Sequence, residues 1–392
     1  MTDTISTRVF RKLADLQEIA GFWNDLLERS LNDNLFLTWE WISTWVSNYL
    51  SGDDLFVIVV YDDGFPVAIA PLWLERRRTA GMFPVRVLRF LGSSGVCSDY
   101  LDVIVQKKGY AKWLDRIWNQ LFGDLRSQWD LLEYADTPAD SKALAQFHRL
   151  ADQDDRCLNR QIVNTELCPY MPLPGQVDQL SGSLSRTRRY TINHSRKRLA
   201  EQGELQTRTC ERLDQIPDAL ARLKDLNTRS WQERGQPGSF ATSEFTKFHS
   251  SMAEISLQRD WLLLCSLWST DRYLGGFYGF AYHGVLYFYI MSEEKSNEKR
   301  VNTGDVLLAH CMEEGIRRGC CTFDFLRGDE PYKYRWTESD RRLLSLHIYN
   351  RRPAALLTLV FENILRTVKA IARMIWRRKS TDLQTGYRDS VS

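Results

Sequence analysis

The chain has 392 residues, 43% hydrophobic and 26% charged, with a formal net charge of +2. That composition excludes a disordered or fibrous chain and leaves room for two globular domains. A charge so near zero points to no polyanionic partner by itself, so local clusters must carry that argument.

Thirteen Trp is many for this length, and Trp suits clefts and interfaces as well as cores. The eight cysteines, at 97, 157, 168, 210, 265, 311, 320 and 321, form no C-x-x-C pair. Their spacing fits neither a zinc site nor a disulfide framework, so they read as small buried hydrophobes in a reducing compartment. The first residues lack a basic and an apolar region of the signal-peptide kind, and no apolar run reaches the ~20 residues of a membrane span. The expectation is a cytoplasmic protein.

In chain order, Ile5–Phe10 reads as a short strand and Asp15–Leu31 as a helix. Thr38 with Trp41, Ile42 and Trp45 on one face predicts a capped amphipathic helix, whose aromatic stripe is either core or a ligand cage. Leu55–Tyr61 is a β-branched run, Asp63-Gly64 a hairpin signal, and Pro66–Trp73 the returning strand. Val85–Leu91 is a third strand, followed by the loop Gly92-Ser93-Ser94-Gly95 and a strand over Leu101–Val105. A helix over Tyr110–Phe122, a strand over Asp130–Tyr134, a helix to about Leu150 and a strand over Leu158–Thr165 complete the first half.

The second half repeats this order. Helices over Ile216–Glu233 and Thr242–Leu257 precede strands at Trp261–Leu267, Tyr273–Tyr282 and Leu286–Met291. A helix from Asn302-Thr303-Gly304 to Gly319 leads into the apolar run Cys320–Leu326, and Leu343–Tyr349 is a last strand. Two helices, a three-strand antiparallel meander, a helix and a strand thus occur twice. The order predicts tandem α/β domains with mixed, mostly antiparallel sheets: 1–168, then 169–350, meeting near Pro169, Pro172, Pro174 and Gly175. Each half is expected to hold its own sheet, with a cleft between the halves lined by Trp231, Asp324 and Tyr332.

Residues 302–336 are the candidate site: a helix start open to phosphate, a strand ending in a carboxylate, and the charged aromatic loop Arg327–Trp336. The alternative is a core strand with a solvated loop. Two segments stand outside the repeat. Arg186, Arg188, Arg189, Arg196, Lys197 and Arg198 crowd one helix (Leu184–Glu201), as a solvated face or as a site for phosphates. In 351–392, Leu357, Val360, Phe361, Ile364, Val368, Ile371 and Ile375 form an apolar stripe opposite Arg366, Lys369, Arg373 and Arg377. This basic amphipathic helix lies on an anionic membrane at the inner face, docks on a partner such as a synthase complex, or packs on its own domain.

Several stretches resemble one bacterial family: Ser185-Arg186-Thr187-Arg188-Arg189, Asn227-Thr228-Arg229-Ser230-Trp231, Gly238-Ser239-Phe240, Asp324-Phe325-Leu326-Arg327-Gly328 and Tyr332-Lys333-Tyr334-Arg335-Trp336. Phe36–Trp41, Ala70-Pro71-Leu72 and Leu91-Gly92 with Ser98-Asp99-Tyr100 resemble it as well. The family is that of GNAT-related acyltransferases of the CelD type, of cellulose and exopolysaccharide synthesis, akin to FemAB peptidyltransferases. The resemblance implies two GNAT-like (acyl-CoA N-acyltransferase) domains and transfer of an acyl group from acyl-CoA, acetyl or longer, to an amine or hydroxyl of a sugar-containing or lipid-linked envelope precursor. It implies no metal.

Carried onto this sequence, it gives Asp324, Tyr332 and Lys333 as catalytic candidates and Arg300, Asn302, Thr303 and Gly304 as coenzyme A ligands. Arg189, Arg229, Trp231 and Arg327 become substrate ligands. Asp324 is either the acceptor's base or an ion-pair partner of Lys333 or Arg327, and Tyr332 or Tyr334 is the proton donor. The helix start departs from the usual loop, with one glycine and Asp305 in its first turn. Two other functions remain open: a FemAB-like transferase using aminoacyl-tRNA, although nucleic acid is not the expected partner, and a non-catalytic scaffold of a polysaccharide synthase.

Overall fold

The computed structural model describes residues 5–368, apart from Asp53, Ala80 and 296–300. The first half contains β1 (Ile5–Phe10), α1 (Gln17–Glu28), α2 (Trp39–Tyr49), the meander β2 (Leu55–Asp62), β3 (Phe65–Thr79) and β4 (Phe83–Phe90), and the short β5 (Ile104–Val105). α3 (Tyr110–Phe122), β6 (Leu131–Pro138), α4 (Lys142–Gln153) and β7 (Cys157–Pro172) follow. The second half contains α5 (Val177–Ser183), α6 (Arg186–Glu201), β8 (Leu205–Thr209), α7 (Ile216–Gln232), α8 (Ser243–Gln258), and the meander β9 (Leu262–Ser269), β10 (Arg272–Tyr282) and β11 (Val285–Glu293). It ends with α9 (Thr303–Arg317), β12 (Thr322–Asp324), β13 (Asp340–Asn350) and a terminal helix α10 over 353–368. Among the described residues no helix is long and apolar enough to cross a membrane.

The repeated order is present as expected, and local chemistry accounts for most boundaries. Thr38 caps α2 by accepting from the Trp41 N–H at 3.3 Å, and Gly319, at φ +77°, ends α9 in the left-handed region. The N-cap of α9 is Asn302, whose Oδ1 accepts from the Asp305 N–H at 2.9 Å.

One expectation is corrected. The strands form a single continuous path, β1-β2-β3-β4-β6-β13-β7-β12-β11-β10-β9-β8, with β5 beside β3. The link is β7. Its run Cys157–Pro169 pairs with β13, and Tyr170–Pro172 pairs with β12. Pro169 is tolerated inside β7 because its carbonyl does the bonding: it accepts from the Phe325 N–H at 2.9 Å. The expected boundary at 168/169 therefore falls inside β7. β13, from the second half, lies between β6 and β7 of the first.

The pairs β4–β6 and β11–β12 are parallel and the remaining pairs antiparallel. The halves also meet through α2, whose Trp41 is fully buried. Its ring touches Phe36 of the first half and Phe248, Phe280 and Tyr289 of the second, with centroids 4.9–5.8 Å apart. The aromatic stripe of α2 is core, not a ligand cage.

Candidate active site

β11 and β12 pair over three residues only, Val285–Tyr287 against Thr322–Asp324. Past that point β11 runs straight on to Glu293, while the chain after β12 turns aside at Leu326, a non-glycine residue at φ +55°. The splay opens a cleft of about 490 Å³. Phe288, Ile290, Phe325 and Leu326 make its apolar floor, with Trp231, Arg327, Glu330, Tyr332 and Lys333 around it. Over Phe288–Glu293, β11 pairs with β10 on one side, and on the other side no strand pairs with it among the described residues. The edge thus offers backbone N–H and C=O groups to an extended ligand.

The first half closes one end of this cleft through its loop 92–100. Val96 O accepts from the Tyr289 hydroxyl, and Ser98 Oγ from the Trp41 indole N–H at 2.9 Å. Gly95 permits the close fit, since a Cβ there would sit 2.3 Å from the Tyr49 ring. Asp99, fully buried, accepts from the Arg327 backbone N–H at 2.9 Å and from its Nε. Burial alone would lower the Arg327 pKa, but Asp99 and Asp136 raise it well above its ordinary value.

Asp324 is fully buried and does not face the cleft. Its Oδ2 accepts from the Tyr100 hydroxyl and from Arg341, each at 2.8 Å, and its Oδ1 from the Leu326 N–H at 2.8 Å. Burial raises its carboxyl to about 6, against the pull of Arg341 and the two other donors. The expected base is thus a positioning group: it holds Leu326 in the conformation that turns the loop. Its ion-pair partner is Arg341, not Arg327 or Lys333.

Lys333 is also buried and committed. Its ammonium donates to the carbonyls of Leu326, Arg327 and Gly328 at 3.2, 2.6 and 3.3 Å and pairs with Glu330 at 2.9 Å. It staples the loop. Tyr332 lines the cleft with its pKa raised, first by burial and then by Glu330 and Glu293, so it keeps its proton at neutral pH.

The expected phosphate cradle is corrected. The N–H groups at the start of α9 are already taken: Asn302 donates to Ser195 Oγ at 2.9 Å, Gly304 to the Glu293 carboxylate, and Asp305 to Asn302. Thr303 is buried, and Asp305 is buried in an ion pair with Arg188. Two carboxylates thus occupy the end where the helix dipole would favour a phosphate. Burial, with Asp305 nearby, raises the Glu293 carboxyl to about 7. Gly304 serves this internal contact, since a Cβ would lie 2.6 Å from Glu293 Oε2. Gly304→Ala should therefore cost about 1–2 kcal/mol by pushing Glu293 off its N–H. In a Glu293→Ala background the same change should cost nothing; urea unfolding of the four proteins checks this.

Of the remaining candidates, Trp231 and Arg327 line the cleft. Arg229 is exposed and paired with Asp225 at 2.9 Å, away from it. Arg189 lines a separate cavity of about 160 Å³ between α5, α6 and α9. Arg300 lies outside the described residues. Tyr100, Asp99, Arg341 and Glu293 were not singled out as site residues, and only the Ser98-Asp99-Tyr100 run with its flanking glycines gave any signal. No group of three or more His, Cys, Asp or Glu is placed to hold a metal among the described residues.

Residues 186–334 match the acetyltransferase (GNAT) domain family. No curated protein matches the sequence. Among solved structures the chain is similar to FemX, at 12% identity and a TM-score of 0.59 over 91% of this chain and 100% of that one. It is also similar to L-PGS from Bacillus licheniformis, at 11% identity and a TM-score of 0.51 over 87% and 96%. Both likenesses are of fold alone. With that element order repeated in the first half, the chain has the fold of two GNAT-like units joined in one α/β sheet, and the second holds the residues that match this domain family.

Proposed function

We propose that the protein moves an acyl group from acyl-CoA, acetyl or longer, to an amine or hydroxyl of a cell-envelope or exopolysaccharide precursor of the kind CelD-type proteins serve. The open edge of β11 carries this reading. An acyl-CoA arm has amides spaced along an extended chain, and the N–H and C=O groups of Phe288–Glu293 that face away from β10 can bond them while the apolar floor takes the acyl chain. Its phosphates would lie off the α9 axis, because Glu293 and Asp305 fill that end.

The incoming nucleophile must lose a proton and the departing thiolate gain one. Tyr332, protonated and in the cleft, suits the second step. Glu330 suits the first: though paired with Lys333, it lines the cleft and is half exposed, whereas Asp99 and Asp324 are fully buried in their ion pairs.

A second reading, an aminoacyl ester of tRNA as donor, is favoured by the filled start of α9. It also accounts for the outward face of α6, where Arg186, Arg189 and Lys197 are exposed and the Tyr190 and His194 rings stack at 5.7 Å.

Calorimetric titration with acetyl- and octanoyl-CoA tests the choice. The expected result is binding that falls at least about tenfold in Trp231→Ala, a loss of roughly 1.4 kcal/mol. Release of free thiol on adding an amine-bearing sugar should slow about 10²-fold or more in Glu330→Gln. No coenzyme A binding, together with salt-dependent tRNA binding lost in Arg186→Ala/Arg189→Ala, would favour the second reading.

A further inference from the structure

α10 is docked the wrong way round for a helix that serves only its own domain. Its inward stripe is mostly small and polar, with Leu359 its one large apolar residue packed on the sheet. Ala355 and Thr358 are buried against the sheet, where Ala355 packs with Val85, Val87, Leu131 and Tyr349. Thr358 Oγ1 shares a hydrogen bond with Thr79 Oγ1 at 3.0 Å, and Glu362 accepts from the Tyr349 hydroxyl at 2.5 Å. Six of the large apolar side chains point outward: Leu356, Leu357, Val360, Ile364, Leu365 and Val368 are each 40–55% exposed. Helices that stabilise a domain bury that stripe instead.

The apolar surface continues onto the turn between β3 and β4. Thr79, bonded to α10, pairs with Phe83 across that hairpin. At its tip Met82 is 62% exposed and Phe83 43%. An apolar face of this kind marks an interaction site. Its rim is basic: Arg78, Arg351 and Arg366 are exposed beside it, and the only acid from Arg351 to Lys379 is Glu362, already facing Arg366 and Tyr349. In sequence that stretch has eight basic residues and one acid, a net of +7.

We propose that α10 and the β3–β4 turn form a docking face for an anionic membrane surface. Apolar side chains in line with a basic rim match an anionic headgroup layer over acyl chains. A second copy of the chain would bring +7 against +7, so charge disfavours self-association. The proposal is independent of the donor in the cleft, which lies on the other half.

The test is co-flotation of the full-length protein with phosphatidylcholine vesicles, with and without phosphatidylglycerol. Binding should require phosphatidylglycerol, weaken as salt rises, and fall at least about tenfold in Leu357→Glu/Ile364→Glu. Because both side chains face outward, that variant should melt with the wild type. Met82→Ser/Phe83→Ser should lose part of the binding. Flotation unchanged in the first variant, or indifferent to phosphatidylglycerol, overturns the proposal. So does a dimer in sedimentation that the first variant dissociates while the wild type ignores vesicles.

Discussion

Asp324→Ala should lower the unfolding free energy by about 3–5 kcal/mol, whereas Asp324→Asn should cost roughly 1 kcal/mol. Alanine leaves the buried Tyr100 hydroxyl and the Leu326 N–H without acceptors, at about 1–3 kcal/mol each. It also frees Leu326 from the bond that holds it at positive φ. Asparagine keeps an oxygen for Leu326 and lets the Tyr100 hydroxyl turn. Arg341, whose side chain is part exposed, can then move to water. A pH series adds a signature. The carboxyl titrates at about 6 in the folded protein and near 3.9 in an unfolded chain. The folded state therefore binds this proton more tightly, so its contribution to stability is greatest below about pH 4, declines as pH rises to about 6, and is flat above. The decline amounts to about 3 kcal/mol, and Asp324→Asn should remove it. Urea unfolding of wild type and variant across that range checks the difference; parallel curves would show that Asp324 is not the titrating group.

Trp41→Ala should be comparably damaging, at about 3–5 kcal/mol. The residue is fully buried, and it reaches four rings from both halves while donating to Ser98 Oγ. Each ring contact adds about 0.5–1.5 kcal/mol beyond area alone. The loss includes the anchor of loop 92–100, so the end of the cleft that this loop closes should loosen as well. Chemical denaturation followed by fluorescence and by circular dichroism measures it. A cost below about 1 kcal/mol would mean the halves are locked together elsewhere.

The sequence was most readable where structure is local. Periodicity placed α9, the two meanders and the helix pairs before each, and Thr38 and Gly319 marked ends that the backbone obeys. The site was half legible: Trp231, Arg327 and Tyr332 do meet in one cleft. What failed was partnership at long range. Asp324 lies close in sequence to Arg327 and Lys333, yet its partners are Tyr100, on the other half, and Arg341, on a strand that belongs to the first half's side of the sheet. Within α6, a run of arginines conceals two roles set by helical phase, Arg188 inward to Asp305 and Arg189 outward. Glu293 reads as an ordinary strand end, and only its place over Gly304 shows that it fills the helix start where the sequence suggests a phosphate. The turn of α10 was equally hidden, because an apolar stripe does not say which way it faces.

The position of β13 has a consequence for how the protein is made. During synthesis, β6 and β7 emerge long before the strand that lies between them, since Leu346 pairs with Tyr134 and with Ile162. Until residues 340–350 leave the ribosome, the first half carries two unpaired strand edges in the middle of its sheet, a state open to misassociation. Closing that sheet is therefore a slow, non-local step that waits for residues 340–350. Strands β8 to β12 pair only with one another and with Tyr170–Pro172 of β7, so the second unit can pair its strands while the sheet of the first still waits for β13.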